Sequence, residues 1–264
     1  MRLRRTSAVV CAALVALGAG CRLVNRGPVS PELADARRLC NEGLSAADRD
    51  DLDRAESLLE QAVKHCPADV DARRHYADVL WRRGERQQAV GQLVAALEMS
   101  PADPALCVEA GRMYLELGML DDAGRLGEEA VRLAPRSADS WRLHGRVALA
   151  RGQFEAAVAD FHRALAIAGD DRDLLADTAR AYLALGRPRR VLATLAVLAE
   201  DGGPDGLPAD LVALEARAQE SLGHTAEAAA DWRRAIARGD ASPEDAQRLA
   251  ALEAAAAEDG PVRR

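Results

Sequence analysis

The chain has 264 residues, of which 49% are hydrophobic and only 3% aromatic, and it lacks alternating runs of β-branched residues. Because strands are built from such runs, the composition excludes a sheet protein and predicts an all-α fold. Acidic residues outnumber basic ones by 42 to 35, a formal net charge of −7, which excludes binding of nucleic acid as a general surface property.

The first predicted element is an export signal at residues 1–20. It has arginines at its start and then an apolar run, which is shorter than the roughly 20 residues of a membrane-spanning helix. The small residues before Cys21 resemble a bacterial lipobox, although Gly18 stands where an aliphatic residue is usual. This resemblance implies cleavage of the signal and lipidation of Cys21, with a linker over residues 21–30.

The predicted location is therefore the bacterial cell envelope, lipid-anchored and facing the periplasm. Arg22 follows the cysteine in place of the aspartate that retains enteric lipoproteins in the inner membrane, so the outer membrane is slightly favoured. The alternatives are a protein secreted to the periplasm without a lipid and a cytoplasmic protein. Membrane fractionation decides between lipidation and free secretion. Loss of residues 1–20 removes three basic residues, which leaves 32 basic and 42 acidic residues, a net charge of −10.

The body of the chain is an internal repeat of 34 residues. Prolines and glycines recur at this spacing: Pro67, Pro101 and Pro135, and Gly84, Gly118, Gly152 and Gly186. If the units start near residues 36, 70, 104, 138, 172 and 209, alanine fills repeat position 20 in five of six units, and position 27 equally often. The repetition predicts six helical units over residues 31–242.

This pattern resembles the tetratricopeptide repeat, a helix-turn-helix family. The fourth unit carries the residues that the family pattern requires: Trp141, Gly145, Ala157, Phe161 and Ala164. Departures are Ala148 of the fourth unit, where a tyrosine is usual, Gly127, where an aromatic residue is usual, and Val191 and Leu198, which replace both alanines of the fifth unit. The resemblance implies a right-handed superhelical solenoid of about six repeats, ending in a capping helix at residues 243–256 and a disordered tail at 257–264.

The alternation of small and large residues predicts how the helices pack. Small residues allow the two helices of a unit to approach closely, and one large side chain per unit, such as Phe161, fills the space beside them. The recurring glycines are expected to end the first helix of each unit in the left-handed conformation. Four residues are each expected to cap the first helix of the unit that follows: Asp69, Asp103, Ser137 and Asp171.

Neither an enzyme nor a metal or cofactor site is predicted. The chain has no phosphate-binding glycine loop, no HExxH motif and no serine in a nucleophile elbow, and its five histidines lie singly. His144 occupies a core-type repeat position, so we interpret it as structural rather than as a ligand.

Two cysteines of the first unit raise a separate hypothesis. Cys40 lies early in the first helix and Cys66 at the end of the second, so an antiparallel hairpin brings them near each other. Outside the cytoplasm such a pair can form a disulfide. The alternative is that both are small buried hydrophobic residues.

The predicted partner-binding surface is the concave groove, which in this family is lined by positions 2, 5, 9, 12 and 13 of each first helix. Arginine fills position 9 in four consecutive units. Its forked guanidinium suits an acidic segment or a chain-terminal carboxylate of another protein. In the alternative interpretation aspartates at position 2 neutralise the arginines. Asp139 can pair with Arg142 on its own helix, and the others can bridge units: Asp71, Asp173 and Asp210. The candidate groove residues are Arg74, Trp81, Arg112, Arg142, Arg146, Arg180 and Arg217.

These observations predict a non-catalytic scaffold or adaptor for protein–protein interaction that assists assembly of an envelope complex. In length and layout the chain is similar to repeat lipoproteins that assist pilus, secretin or outer-membrane protein assembly. The alternatives are a self-associating structural repeat protein and a secreted soluble regulator of an envelope enzyme.

Overall fold

The computed structural model describes residues 31–201, 206–239 and 242–258, and within these ranges the chain forms helices and no strand. The prediction of an all-α repeat solenoid is confirmed. The export signal, the lipidation site Cys21 and its linker lie outside the described residues, as does the predicted tail from residue 259 onward.

The described helices are, in chain order, α1 (Pro31–Ala47), α2 (Leu52–His65), α3 (Val70–Arg82), α4 (Arg86–Met99), α5 (Pro104–Glu116), α6 (Leu120–Leu133), α7 (Ala138–Ala150), α8 (Phe154–Ala168), α9 (Arg172–Ala184), α10 (Pro188–Asp201), α11 (Ala209–Ser221), α12 (Thr225–Ala237) and α13 (Pro243–Glu258). Each odd-numbered helix up to α11 packs most extensively on the even-numbered helix that follows it, which makes six hairpins. The first helices of units two to six begin at the residues expected from the repeat.

The odd-numbered helices form the inner layer of the solenoid. Most successive odd-numbered helices contact each other directly, namely α1 and α3, α5 and α7, α7 and α9, and α9 and α11, whereas no even-numbered helices of successive units in the described chain make a contact of this extent. When the helices of one layer are closer together than those of the other layer, the stack curves toward the layer with the closer helices. The inner helices therefore line the concave face.

Local sequence determines where the helices begin and end. The side chains of Asp69, Asp103, Ser137 and Asp171 each accept a hydrogen bond from a backbone N–H in the first turn of an inner helix, as predicted. The glycine after each of five inner helices has a positive φ between 67° and 87°: Gly84, Gly118, Gly152, Gly186 and Gly223. The left-handed helix ends are thus confirmed.

Packing within a unit follows the predicted alternation of sizes. The alanines at repeat positions 20 and 27 are at most 1% exposed, and Phe161 is fully buried. A Cβ atom on Gly145 would lie 2.8 Å from the Phe161 ring, so the glycine provides the space that the ring fills. The same large position holds Leu59, Leu93, Leu195 and Trp232 in other units, all fully buried.

The third unit packs differently because Gly127 provides no large side chain. Leu143, from the first helix of the next unit, points into this space: a Cβ on Gly111 would lie 2.5 Å from Leu143 Cδ2, and one on Gly127 would lie 3.7 Å from its Cγ. Leu143 is 4% exposed. The large side chain of this unit is thus supplied by its neighbour.

The last helix, α13, packs on α12 and closes the C-terminal end of the stack. Its start is a reciprocal cap: the Ser242 N–H donates to Asp245 Oδ2 at 3.0 Å, and the Asp245 N–H donates to Ser242 Oγ at 3.2 Å. Leu249 and Leu252 are half-buried. The capping helix extends to Glu258, two residues beyond the predicted end.

Candidate partner-binding groove

The inner helices bring the predicted arginines into one row along the concave face. Arg112 lies on α5, Arg146 on α7, Arg180 on α9 and Arg217 on α11, each at repeat position 9. Arg74 on α3 and Arg142 on α7 lie one helical turn earlier in their units, at position 5. We call these six side chains the arginine row.

The centre of the row is organised by Asp177, a residue that the sequence analysis did not identify. Its side chain is 6% exposed and accepts hydrogen bonds from Arg142 Nε at 2.9 Å, Arg146 Nε at 2.7 Å and Arg180 Nη1 at 3.2 Å. Charge-assisted bonds of this kind are the strong ones in proteins. One buried carboxylate therefore holds three arginines from two successive units.

Further carboxylates pair with arginines of the unit before them. Arg74 Nε donates to both oxygens of Glu109 at 2.8 Å, and the same pair is joined again through Arg74 Nη2. Three additional ion pairs complete the set: Arg142 with Asp173 at 3.3 Å, Arg180 with Asp210 at 2.6 Å, and Arg217 with Asp245 at 3.2 Å. Asp173 and Asp210 stand at repeat position 2, so the alternative expectation that such aspartates bridge units is confirmed for these two. Five of the six arginines are thus held by carboxylates of the described chain.

The expected pairing of Arg142 with Asp139 on its own helix is wrong. Arg142 reaches forward to Asp173 and Asp177 on α9, while Asp139 is exposed and has no ion pair among the described residues. Asp177 and Glu109 both occupy repeat position 6, each 35 residues after the arginine at position 5. This recurrence is the signal in the sequence that could have identified them.

Arg112 is the exception in the row. It is exposed, and it makes no hydrogen bond or ion pair with any residue that the structure describes. The acceptor of Arg146 lies 31 residues after it, at Asp177, but 31 residues after Arg112 the chain has Leu143. Leu143 fills the space beside Gly111, so Arg112 has no counterpart of Asp177 in the next unit, and its guanidinium has no acceptor among the described residues.

An apolar strip runs beside the row. It consists of the residues at repeat position 12, which are half-buried and pack against the core: Trp81, Leu115, Leu149 and Leu183. Trp81, a predicted groove residue, has one ring face covered by the guanidinium of Arg86, at 4.0 Å from the ring centroid. Arg112 therefore lies next to this apolar strip.

The first-unit cysteines are free thiols in the structure. Cys40 is buried, Cys66 is half-buried, and both line one depression of about 470 Å³. Burial is the main cause of the raised pKa of the Cys40 thiol. The disulfide between Cys40 and Cys66 stays a prediction.

His144 has a polar partner that accounts for its position. Its Nδ1 lies 2.6 Å from Oδ2 of the buried Asp160, whose other oxygen accepts from Arg163 Nη1 at 2.9 Å. The hydrogen bond to Asp160 raises the pKa of His144, against the opposing effect of burial.

Among the described residues no group of three or more His, Cys, Asp or Glu side chains is placed to hold a metal ion, and no helix is long and apolar enough to span a membrane.

The His144 pair should make stability depend on pH. Because the folded-state pKa is raised above that of the unfolded chain, about 6.5, the contribution is complete below pH 6.5 and is lost as the pH rises through the folded pKa. We expect His144→Gln to lower the free energy of unfolding by about 1 kcal/mol more at pH 5.5 than at pH 8.5, the value for one partly exposed charge-assisted bond. Urea unfolding at both pH values measures this, and an equal loss at both would contradict it.

Comparisons with known proteins agree on one family. Two family models described as tetratricopeptide repeat match the chain, one at residues 40–104 and 77–138 and the other at 148–215, together more than half of its length. A comparison with curated protein sequences finds no match.

Solved structures share the fold at low sequence identity. A tetratricopeptide repeat protein from Parabacteroides merdae is 18% identical with a TM-score of 0.65, and 86% of each chain is covered. PilW, described as a widely conserved type IV pilus biogenesis factor, is 17% identical with a TM-score of 0.72, covering 82% of this chain and 97% of its own. PilF from Pseudomonas aeruginosa is 17% identical with a TM-score of 0.69, covering 85% and 99%.

Proposed function

The chain belongs to the tetratricopeptide repeat family, whose members generally mediate protein–protein interactions, and we propose that it is a non-catalytic adaptor of the bacterial envelope. The adaptor holds a segment of another envelope protein in its concave groove. It is tethered to the membrane through a lipidated Cys21, faces the periplasm and assists assembly of an envelope complex.

The observation that carries the proposal is the open guanidinium of Arg112 beside the apolar strip. A guanidinium without an internal partner can form two parallel hydrogen bonds with a carboxylate of a bound segment. Leu115, one turn further along α5, offers half-buried apolar surface next to it. The partner segment therefore carries an acidic side chain or its own C-terminal carboxylate next to apolar side chains.

The paired arginines have a different role in this proposal. Ion pairs that run from one unit to the next, such as those at Asp177, join the inner helices side by side. A groove held in one shape loses less conformational entropy on binding than a flexible one. Arg112 then binds the partner's carboxylate, while the other arginines of the row keep the groove in one shape.

Two observations support the envelope location. The first is the order of basic start, apolar run and small residues before Cys21, which is typical of an exported lipoprotein. The second is the similarity to PilW over nearly the whole length of that protein, with its described part in type IV pilus biogenesis.

Reversal of the Arg112 charge tests the proposed groove. We expect Arg112→Glu to reduce the amount of crosslinked partner recovered from an envelope extract by about tenfold or more, because a like charge then faces the partner's carboxylate. Arg136→Glu is the matched control, since Arg136 is also exposed, has no ion pair among the described residues and lies outside the row.

Both variants should unfold at the temperature of the unmodified protein, because neither side chain has a partner to lose in the part of the chain that the structure describes. Arg146 and Arg180 are unsuitable for this test, since their reversal would place carboxylates against the buried Asp177. Recovery of the same partners by all three proteins would overturn the proposed groove.

A further inference from the structure

The N-terminal end of the solenoid carries a basic cleft that the groove does not explain. In an internal unit the first helix is covered by the preceding unit, but α1 has no described unit before it. One face of α1 and the start of α2 border a depression of about 620 Å³. The side chains that define this basic cleft are Arg37, Arg38, Arg49 and Arg54.

The arginines of the basic cleft are largely unpaired. Arg37, Arg49 and Arg54 are exposed, and their guanidinium groups make no hydrogen bond or ion pair with the described residues. Arg38 is shared between Asp35 at 3.5 Å and Glu42 at 3.2 Å, both exposed pairs on its own helix, which are weak in water. In the arginine row, by contrast, most of the arginines are paired with carboxylates.

Most carboxylates of the neighbouring loop are directed elsewhere. Asp50 pairs with Arg82 of the second unit at 3.0 Å, and Asp53 pairs with Arg83. The side chain of Asp51 accepts the first-turn N–H at Arg54 and caps α2. Asp48 is the remaining carboxylate of this loop, and Glu42 is the one acid that lines the cleft itself. The lining thus has four positive charges and one negative charge.

We propose that the basic cleft binds the phosphate group of an anionic phospholipid at the membrane surface. Forked guanidinium groups match the oxygens of a phosphate, and several of them around one depression can share a single phosphate. Helix α1 begins at residue 31, ten residues after Cys21, and a stretch of ten residues spans at most about 35 Å. The cleft is therefore within reach of a membrane to which Cys21 is attached.

This contact would orient a molecule that is otherwise repelled. A mature chain with a net charge of −10 is pushed away from an anionic surface as a whole, so attraction must come from a local cluster of basic residues. Binding at the α1 end holds that end against the lipid and directs the solenoid and its groove into the periplasm. The binding chemistry does not require the proposed tether, which only brings the cleft to the surface.

Vesicle co-sedimentation of the chain from residue 22 onward, which keeps every described residue and carries no lipid, tests the proposal. We expect binding to vesicles of phosphatidylglycerol and phosphatidylcholine, weaker binding at higher salt, and none to phosphatidylcholine alone. A basic residue near an anionic surface contributes about fivefold in affinity, so the triple change Arg37→Gln, Arg49→Gln and Arg54→Gln should reduce binding at least about tenfold.

The matched control is the triple change Arg187→Gln, Arg189→Gln and Arg190→Gln, which removes the same charge from exposed arginines at α10. It should change vesicle binding by less than about threefold. Equal losses in the two triple variants, or no binding of the unmodified chain to the anionic vesicles, would overturn the proposal. Titration calorimetry with inorganic phosphate separates the sources: a cleft that binds free phosphate but not the vesicles is a site for a soluble anion, which also overturns it.

Because this experiment uses the chain without its lipid, its failure would leave the proposed adaptor function untouched. Loss of partner capture in the Arg112→Glu variant would likewise say nothing about the cleft. The two proposals rest on side chains at separate places in the solenoid.

Discussion

Replacement of Asp177 with Asn is expected to lower the free energy of unfolding by about 3 kcal/mol. The carboxylate is 6% exposed and accepts hydrogen bonds from Arg142, Arg146 and Arg180, so the change leaves three guanidinium groups close together without their shared counter-charge. Removing one partner of a buried ion pair costs about 3–5 kcal/mol. We expect the lower end of that range, because the arginines are 20% to 42% exposed and can turn toward water.

Asp139→Asn is the control for Asp177→Asn. Asp139 lies on an inner helix at the same face, but it is exposed and has no ion pair among the described residues, so its loss should change stability by less than about 0.5 kcal/mol. Urea unfolding followed by circular dichroism measures both variants. Equal stabilities for the two would mean that the interactions of Asp177 contribute nothing net to the stack.

Replacement of Phe161 with Ala is expected to lower the free energy of unfolding by about 4 kcal/mol. The ring is fully buried against Gly145, and truncation of such a side chain costs about 3–5 kcal/mol through lost burial and the remaining cavity. Phe161→Leu should cost only about 1 kcal/mol, since three other units place a leucine at this position.

Ile167→Ala serves as the control for this pair of variants. Ile167 lies on the same helix, α8, but is 43% exposed, so its truncation should cost less than about 0.5 kcal/mol. Thermal and urea unfolding of the variants measure the order of their stabilities. A loss below about 1 kcal/mol for Phe161→Ala would contradict the view that one large side chain per unit fills the space left by the small residues.

The two expected results concern two neighbouring interfaces in the middle of the stack. Phe161 holds the two helices of the fourth unit together, and Asp177 holds the fourth unit to the fifth. In a solenoid, stability is approximately the sum of such terms within units and between neighbours. Both variants should therefore weaken the middle of the stack, where the arginine row is most densely paired.

Packing also decides the electrostatics of the groove. Gly127 leaves a space in the third unit, Leu143 of the next unit fills it, and a leucine at that position cannot serve as the acceptor that Asp177 provides one unit later. The carboxylate that Asp177 offers to Arg146 thus has no counterpart for Arg112.

The amino-acid sequence by itself determined the repeat, the helix type and the helix ends of this protein. These features depend on local chemistry: the alanines recur every 34 residues, caps such as Asp103 bond to N–H groups three residues away or fewer, and glycines such as Gly118 end helices through their own φ. Local determinants of this kind can be read from one unit and checked in the next.

Only the tertiary structure decided which charges meet. The within-helix partner expected for Arg142 was wrong because the long arginine side chain reaches across to the next inner helix, where Asp177 is buried and needs counter-charges. Such a choice depends on distances between units, which the spacing along the chain does not specify. For the same reason, only the structure shows that Arg112 and most arginines of the basic cleft have no carboxylate partner among the described residues.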